Sequence, residues 1–130
     1  MNKKQILVVD DDMIILKLLH FILSEEYIVV SKNNGIDAFG WLEEGNFPVL
    51  IISDLLMPYL DGTSFVKNLK ISGYYRNTPV IVLSGLENLD EVVGQMPFPV
   101  DAHFRKPFNP DTLKQAISSI LKKENAHADD

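Results

Sequence analysis

Four short apolar runs constrain this chain more than any other feature: Ile6-Leu7-Val8-Val9, Tyr27-Ile28-Val29-Val30, Val49-Leu50-Ile51-Ile52 and Val80-Ile81-Val82-Leu83. None alternates with polar residues. A strand with one wet face would alternate, so runs of this kind belong to strands covered on both faces. Ala102-His103-Phe104-Arg105 is a weaker fifth run, placed by its spacing. Helix-like segments fill the intervals. Leu113, Ala116, Ile117, Ile120 and Leu121 repeat at helical spacing, behind Asn109 as an N-cap and Pro110 in the first helical position. Further helices are expected over 12–25, 35–44, 63–71 and 88–95, with Gly45 and Pro48 stopping the second of these and Pro97 and Pro99 the last. Consecutive parallel strands need right-handed crossovers. Five strand-then-helix repeats therefore predict an α/β domain, an open parallel sheet of five strands with helices on both faces. The last helix is expected to end by about Lys123. Residues 125–130 then read as a short disordered tail, with no output domain after it.

Composition closes off several alternatives. The 130 residues carry 12 Lys and Arg against 18 Asp and Glu, a formal charge of −6, and 46% are hydrophobic. That suits one folded domain of ordinary size. The acidic balance argues against direct nucleic-acid binding, which needs a basic face to displace counterions. With no cysteine there is no disulfide, thiolate metal site or cysteine nucleophile. No stretch approaches the roughly 18 apolar residues of a membrane span. The apolar run after Lys3-Lys4 is too short for a signal peptide. The expected location is cytoplasmic, without a membrane partner.

Sheets of this kind bind ligands beyond the carboxyl ends of their strands. The residues after each run are therefore the candidates for chemistry. Asp10, Asp11 and Asp12 follow the first run, Ser53-Asp54 the third, Ser84 the fourth and Lys106-Pro107 the fifth. Carboxylates brought together from neighbouring strands repel, and a hard cation relieves the repulsion. Mg²⁺ takes one or two carboxylates and leaves coordination sites for phosphate oxygens. Lys106 adds a mobile positive charge and Ser84 a hydrogen-bond donor. These groups would hold a phosphoryl group, and a carboxylate can also attack one. The chain has no GxxxxGK[ST] loop, which disfavours a nucleotide as ligand. Asp10 to Asp12 could merely cap the first helix, but one acid suffices for a cap. Asp61-Gly62 reads as a turn rather than a site.

Four segments, in order and at the right strand ends, resemble the receiver domain of two-component response regulators. They are Ile6 to Asp12, Ser53-Asp54-Leu55-Leu56-Met57-Pro58-Tyr59-Leu60-Asp61-Gly62, Val80 to Gly85, and Lys106-Pro107-Phe108. The resemblance implies a receiver domain over 1–124, flavodoxin-like and doubly wound, with strand order 2-1-3-4-5. It implies Asp54 as phosphoacceptor. Mg²⁺ would be bound by Asp11, Asp54 and the Leu56 backbone carbonyl, and by Asp10 through water. Ser84 and Lys106 would contact the phosphoryl group, and the Lys106-Pro107 bond would be cis. A histidine kinase or histidine phosphotransfer protein would be the donor. The fourth helix, fifth strand and fifth helix would carry the altered surface. The chain would be no enzyme beyond its own phosphorylation and dephosphorylation.

Several positions depart from the family pattern. His103 stands three residues before Lys106, where the family usually carries Tyr or Phe, and would serve as the switch residue while adding a titrating group. Leu56 and Leu86, two residues beyond Asp54 and Ser84, cannot position a hydrolytic water as polar side chains can, so the aspartyl phosphate is expected to be long-lived. The segment 95–101 replaces the family's longer fourth helix. In the first helix, Ile15, Leu18, Leu19, Ile22 and Leu23 are expected to face inward. Ile14, Leu16 and Phe21 widen the apolar arc and are expected to dock a kinase, a phosphotransfer domain or a second copy of the chain. Two other functions compete. A Mg²⁺-dependent phosphatase with an Asp nucleophile would need an acid where Leu56 stands. A phosphorylation-independent interaction module would be marked by loss of an acid or the lysine, and none is lost.

Overall fold

The computed structural model describes residues 3–56 and 61–128. The Met57-Pro58-Tyr59-Leu60 part of the motif lies outside them. Strands and helices alternate: β1 (Lys4–Val9), α1 (Met13–Leu23), β2 (Tyr27–Lys32), α2 (Gly35–Glu43), β3 (Leu50–Ser53), α3 (Gly62–Ile71), β4 (Val80–Ser84), α4 (Leu89–Gln95), β5 (Ala102–Arg105) and α5 (Pro110–Ala128). The strands form one parallel sheet in the order β2-β1-β3-β4-β5. This is the doubly wound, flavodoxin-like arrangement expected from the sequence.

Burial follows position in the sheet. The central strands β3 and β4 are buried along their whole length, as is β1 from Ile6 to Val9. That is why those runs show no polar alternation. The edge strands β2 and β5 are only partly covered, and Ile28 on β2 is exposed. Two apolar layers flank the sheet. One gathers Leu7, Val9, Ile51 and Val82 with Ala38, Phe65, Leu69 and Leu89, from α2, α3 and α4. The other gathers Ile6, Val8, Ile52 and Leu83 with Leu16, Leu19, Leu23, Leu113 and Ile117, from α1 and α5. Successive residues of each strand go to opposite layers, as a period of two requires.

Local chemistry sets most helix starts. The side chains of Asp12, Asn34 and Asp61 accept from the backbone N–H of Ile14, Asp37 and Ser64 at 2.8–2.9 Å. Asn109 accepts from Asp111 N–H at 2.9 Å, with Pro110 opening the helix. Each bond satisfies a donor that the first helical turn leaves without an intrahelical partner. Gly45, at φ 99°, turns the chain out of α2 in the left-handed region.

Two expectations need correction. α5 continues through Ala128, so residues 125–128 are helix and not a disordered tail. Neither Gly nor Pro interrupts 122–128, and Lys, Glu and Ala favour helix. Asp129 and Asp130 lie outside the described residues. In α1 the inward seam is Leu16, Leu19 and Leu23, with Ile15 and Ile22 half-buried. Leu16 therefore belongs to the core and not to a partner face, while Leu18, expected inside, is exposed with Ile14 and Phe21. Almost every position from Met13 to Leu23 is apolar, so the pattern fixed the helix without fixing which side faces in.

Candidate functional site

The carboxyl ends of β1 and β3 lie side by side, with Val9 in register with Ser53. Asp10 and Asp54 each stand one residue beyond that pair. The Asp54 N–H donates to the Val9 carbonyl at 3.0 Å, which ties the two strand ends together. One carboxylate oxygen each from Asp10, Asp11 and Asp54 comes within 4.8 Å of the others. Asp10 and Asp54 are buried and Asp11 is exposed, so the cluster opens to solvent on the Asp11 side.

Lys106 reaches in from the end of β5. Its Nζ lies 2.7 Å from Asp10 Oδ2 and 3.1 Å from Asp54 Oδ2. The Lys106 N–H donates to the Ser84 carbonyl at 2.8 Å, fixing the root of this side chain against the end of β4. The Lys106-Pro107 bond is cis. One ammonium thus serves two buried carboxylates and leaves the cluster with an excess of negative charge. Burial pushes the Asp10 carboxyl above its ordinary range. The Lys106 ammonium and the Asp12 N–H draw it back, and the Asp54 charge adds to the rise. For Lys106, burial favours the neutral amine, but the hydrogen bonds and charges of Asp10 and Asp54 together outweigh it and raise its pKa.

The remaining carboxylate oxygens are held by backbone. Asp10 Oδ1 accepts from Asp12 N–H at 2.9 Å. Asp54 Oδ1 accepts from Leu55 N–H at 2.7 Å and from Leu56 N–H at 3.3 Å. These bonds orient the carboxylates before any ligand arrives. Hard oxygen donors in this number suit Mg²⁺ and not a soft metal.

Ser84 is fully buried at the end of β4, where its Oγ accepts from Leu86 N–H at 3.3 Å. His103 does not join the cluster. It alternates along β5 with Ala102 and Phe104, which pack on the α1 and α5 layer, and its Nε2 lies 2.7 Å from Asp90 Oδ1 on α4. Leu56 is exposed and Leu86 half-buried. A hollow of about 540 Å³ beside Lys4, Tyr27, Pro48 and Leu121 lies at the amino ends of the strands, away from all of these acids.

One residue read only as part of a turn has a sharper role. A Cβ on Gly62 would overlap the Asp54 carbonyl and Leu55 Cα, so only glycine lets the start of α3 approach the segment after Asp54. The eight-residue separation carried no hint of that approach beyond the Asp-Gly pair itself.

A model of the response regulator receiver domain family matches residues 6–118. This chain belongs to that family. A probable transcriptional regulator, ycf27, of Porphyridium aerugineum is 32% identical over 124 residues, covering 95% of this chain and 50% of that protein. Among solved structures, the receiver domain of a signal transduction histidine kinase from Syntrophus aciditrophicus is 32% identical, with a TM-score of 0.84 and coverage of 92% of this chain and 91% of that one. The receiver domain of the Francisella response regulator 1452 is 30% identical, with a TM-score of 0.82 and coverage of 94% and 99%. The chain spans about half the length of the curated relatives it matches. As a receiver domain it is a two-component signalling module, and its acidic cluster lies where such domains typically bind Mg²⁺.

Proposed function

We propose that this receiver domain is a phosphoacceptor switch in which Asp54 takes a phosphoryl group from a histidine kinase or a histidine phosphotransfer protein. The observation that carries the reading is the arrangement of Asp54. It is a buried carboxylate with Oδ1 fixed by two backbone N–H groups and Oδ2 facing the Lys106 ammonium, beside two further acids. In the transfer, an Asp54 oxygen forms the new O–P bond as the P–N bond to the donor imidazole breaks. The electron pair stays on that nitrogen, which takes up a proton. Catalysis of such a step is mostly positioning and charge neutralisation.

Asp11, Asp54 and the Leu56 carbonyl would hold Mg²⁺ directly, and Asp10 through water. Bound there, the ion offsets charge on the phosphoryl oxygens and the repulsion among the acids. Lys106 pairs with a phosphoryl oxygen. The Ser84 hydroxyl accepts from Leu86 N–H, so its own hydrogen is free to turn toward another. Those contacts exist only in the phosphorylated form and supply the differential energy for a change of conformer. His103, bonded to Asp90, is the switch residue by which that change reaches α4, and α4, β5 and α5 carry the altered surface. Ile14 and Phe21, with Leu18 in place of Leu16, form the exposed apolar face that would receive the donor or a second copy of the chain. An exposed leucine at position 56 offers no acid or base, which disfavours a phosphatase and favours a long-lived aspartyl phosphate. No helix among the described residues is long and apolar enough to cross a membrane, consistent with a cytoplasmic location.

Beryllofluoride, a stable mimic of the phosphoryl group, tests the reading. With Mg²⁺ it should shift the amide resonances of Ser84, Leu86, Asp90 and His103 in the wild type and leave them unmoved in Asp54→Asn. Equal shifts in both proteins would remove Asp54 from its role.

A further inference from the structure

We infer that Ser53 is a positioning residue for the phosphoacceptor, acting through the peptide plane between Asp54 and Leu55. This rests on the reading of Asp54 given above. Ser53 is the last residue of β3, fully buried on the layer where α3 packs. Its Oγ donates to the Asp54 carbonyl at 2.9 Å, and the described residues provide no other hydrogen bond to that oxygen. The same planar peptide carries the Leu55 N–H, which donates to Asp54 Oδ1 at 2.7 Å. The plane is thus pinned at both ends, by a hydroxyl on its oxygen and by the Asp54 carboxylate on its nitrogen.

Geometry limits what the plane can do instead. Gly62 is seated against its carbonyl so closely that even a Cβ would overlap, so the oxygen cannot swing toward α3. Turning it the other way breaks the Ser53 bond and takes the Leu55 N–H off Oδ1. With the plane fixed, Oδ1 is oriented by the backbone N–H groups and Oδ2 is the oxygen presented to Lys106. Ser53 therefore sets the orientation of the attacking carboxylate without touching a ligand. Loss of the hydroxyl removes the one hydrogen bond that the described residues give this buried carbonyl and frees the plane to rock.

The test uses Ser53→Ala and Ser53→Thr in the full chain, read two ways. Hydrogen exchange at the Leu55 amide reports the plane directly and needs no phosphorylation. Initial rates of adduct formation with acetyl phosphate and Mg²⁺ report the chemistry. Ser53→Ala should expose the Leu55 amide to faster exchange and lower the saturating rate by roughly tenfold, because a small misplacement of a reacting group is costly. The donor concentration for half-maximal rate should stay within about twofold, since donor binding is untouched. Ser53→Thr, which keeps the hydroxyl, should restore both readouts. The inference is overturned if Ser53→Ala keeps Leu55 protection and rate, or if a folded Ser53→Thr restores neither. A wild type that takes up no phosphoryl group, while Leu55 protection still depends on the hydroxyl, would overturn the proposed function and leave the positioning geometry supported.

Discussion

α1 and α4 both lead away from the edge of the sheet that carries the acids, yet they are built differently. α1 has 11 residues, an N-cap bond from Asp12, and Leu16, Leu19 and Leu23 buried in the sheet. α4 has seven residues, no side-chain cap at Asn88, and Leu89 as its one buried residue. Its other ties are the half-buried Val92 and Val93 and the His103–Asp90 contact, in which the Asp90 side chain is 97% exposed. Segments with few buried apolar contacts open at low free energy, and switching elements come from that end of the scale. The contrast teaches where this fold can yield: α1 is anchored across the sheet beside the acids, while α4 is held by few contacts and can move at small cost.

The largest test of that contrast is a pair of truncations. Leu19→Ala should destabilise the domain by about 2–5 kcal/mol, as a cavity in a close-packed layer does. Val92→Ala should cost about 1 kcal/mol or less. Equal losses in urea denaturation would break the comparison. The caps sharpen it at a smaller scale. Asp12→Ala should cost about 1 kcal/mol, and Asn88→Ala should stay within about 0.5 kcal/mol of wild type, having no cap bond to lose.

Asp10 tests how the rigid side tolerates its charge. Its carboxyl holds a proton more tightly folded than unfolded, chiefly through burial. The folded protein therefore loses stability as pH rises from the ordinary aspartate value of 3.8 through the raised one. Without Mg²⁺, Asp10→Asn should be more stable than wild type at pH 7 and about equal near pH 3, judged by melting temperature. Saturating Mg²⁺ should raise the wild-type melting temperature and shrink the difference, because a ligand that binds only the folded state stabilises it. The smallest expected effect is at the α4 tie. Asp90→Asn should speed amide exchange in α4 only a few-fold, as befits one exposed pair, and leave α1 unchanged.

Much of this was legible in the sequence, for physical reasons. Runs such as Val80 to Leu83 lack polar alternation because both of their faces are covered, and that signal places the central strands. The rule that ligands gather at strand carboxyl ends then picks out Asp10, Asp54, Ser84 and Lys106, and the structure brings Lys106 onto both acids. What was hidden depends on phase or on tertiary contact. A helix apolar on nearly every side does not announce that Leu16 points in and Leu18 out. The partnership of His103 with Asp90 joins residues 13 apart on different elements. Gly62 and Ser53 act on the Asp54 carbonyl from opposite ends of the β3 to α3 connection, a tertiary approach that their place in the Ser53 to Gly62 segment does not reveal.

Intact-mass spectrometry of wild type and Asp54→Asn, each incubated with acetyl phosphate and Mg²⁺, bears most directly on the central claim. A single acid-stable, base-labile phosphoryl adduct should appear on the wild type and be absent from the variant. No adduct on the folded wild type, or an equal adduct on Asp54→Asn, would contradict it.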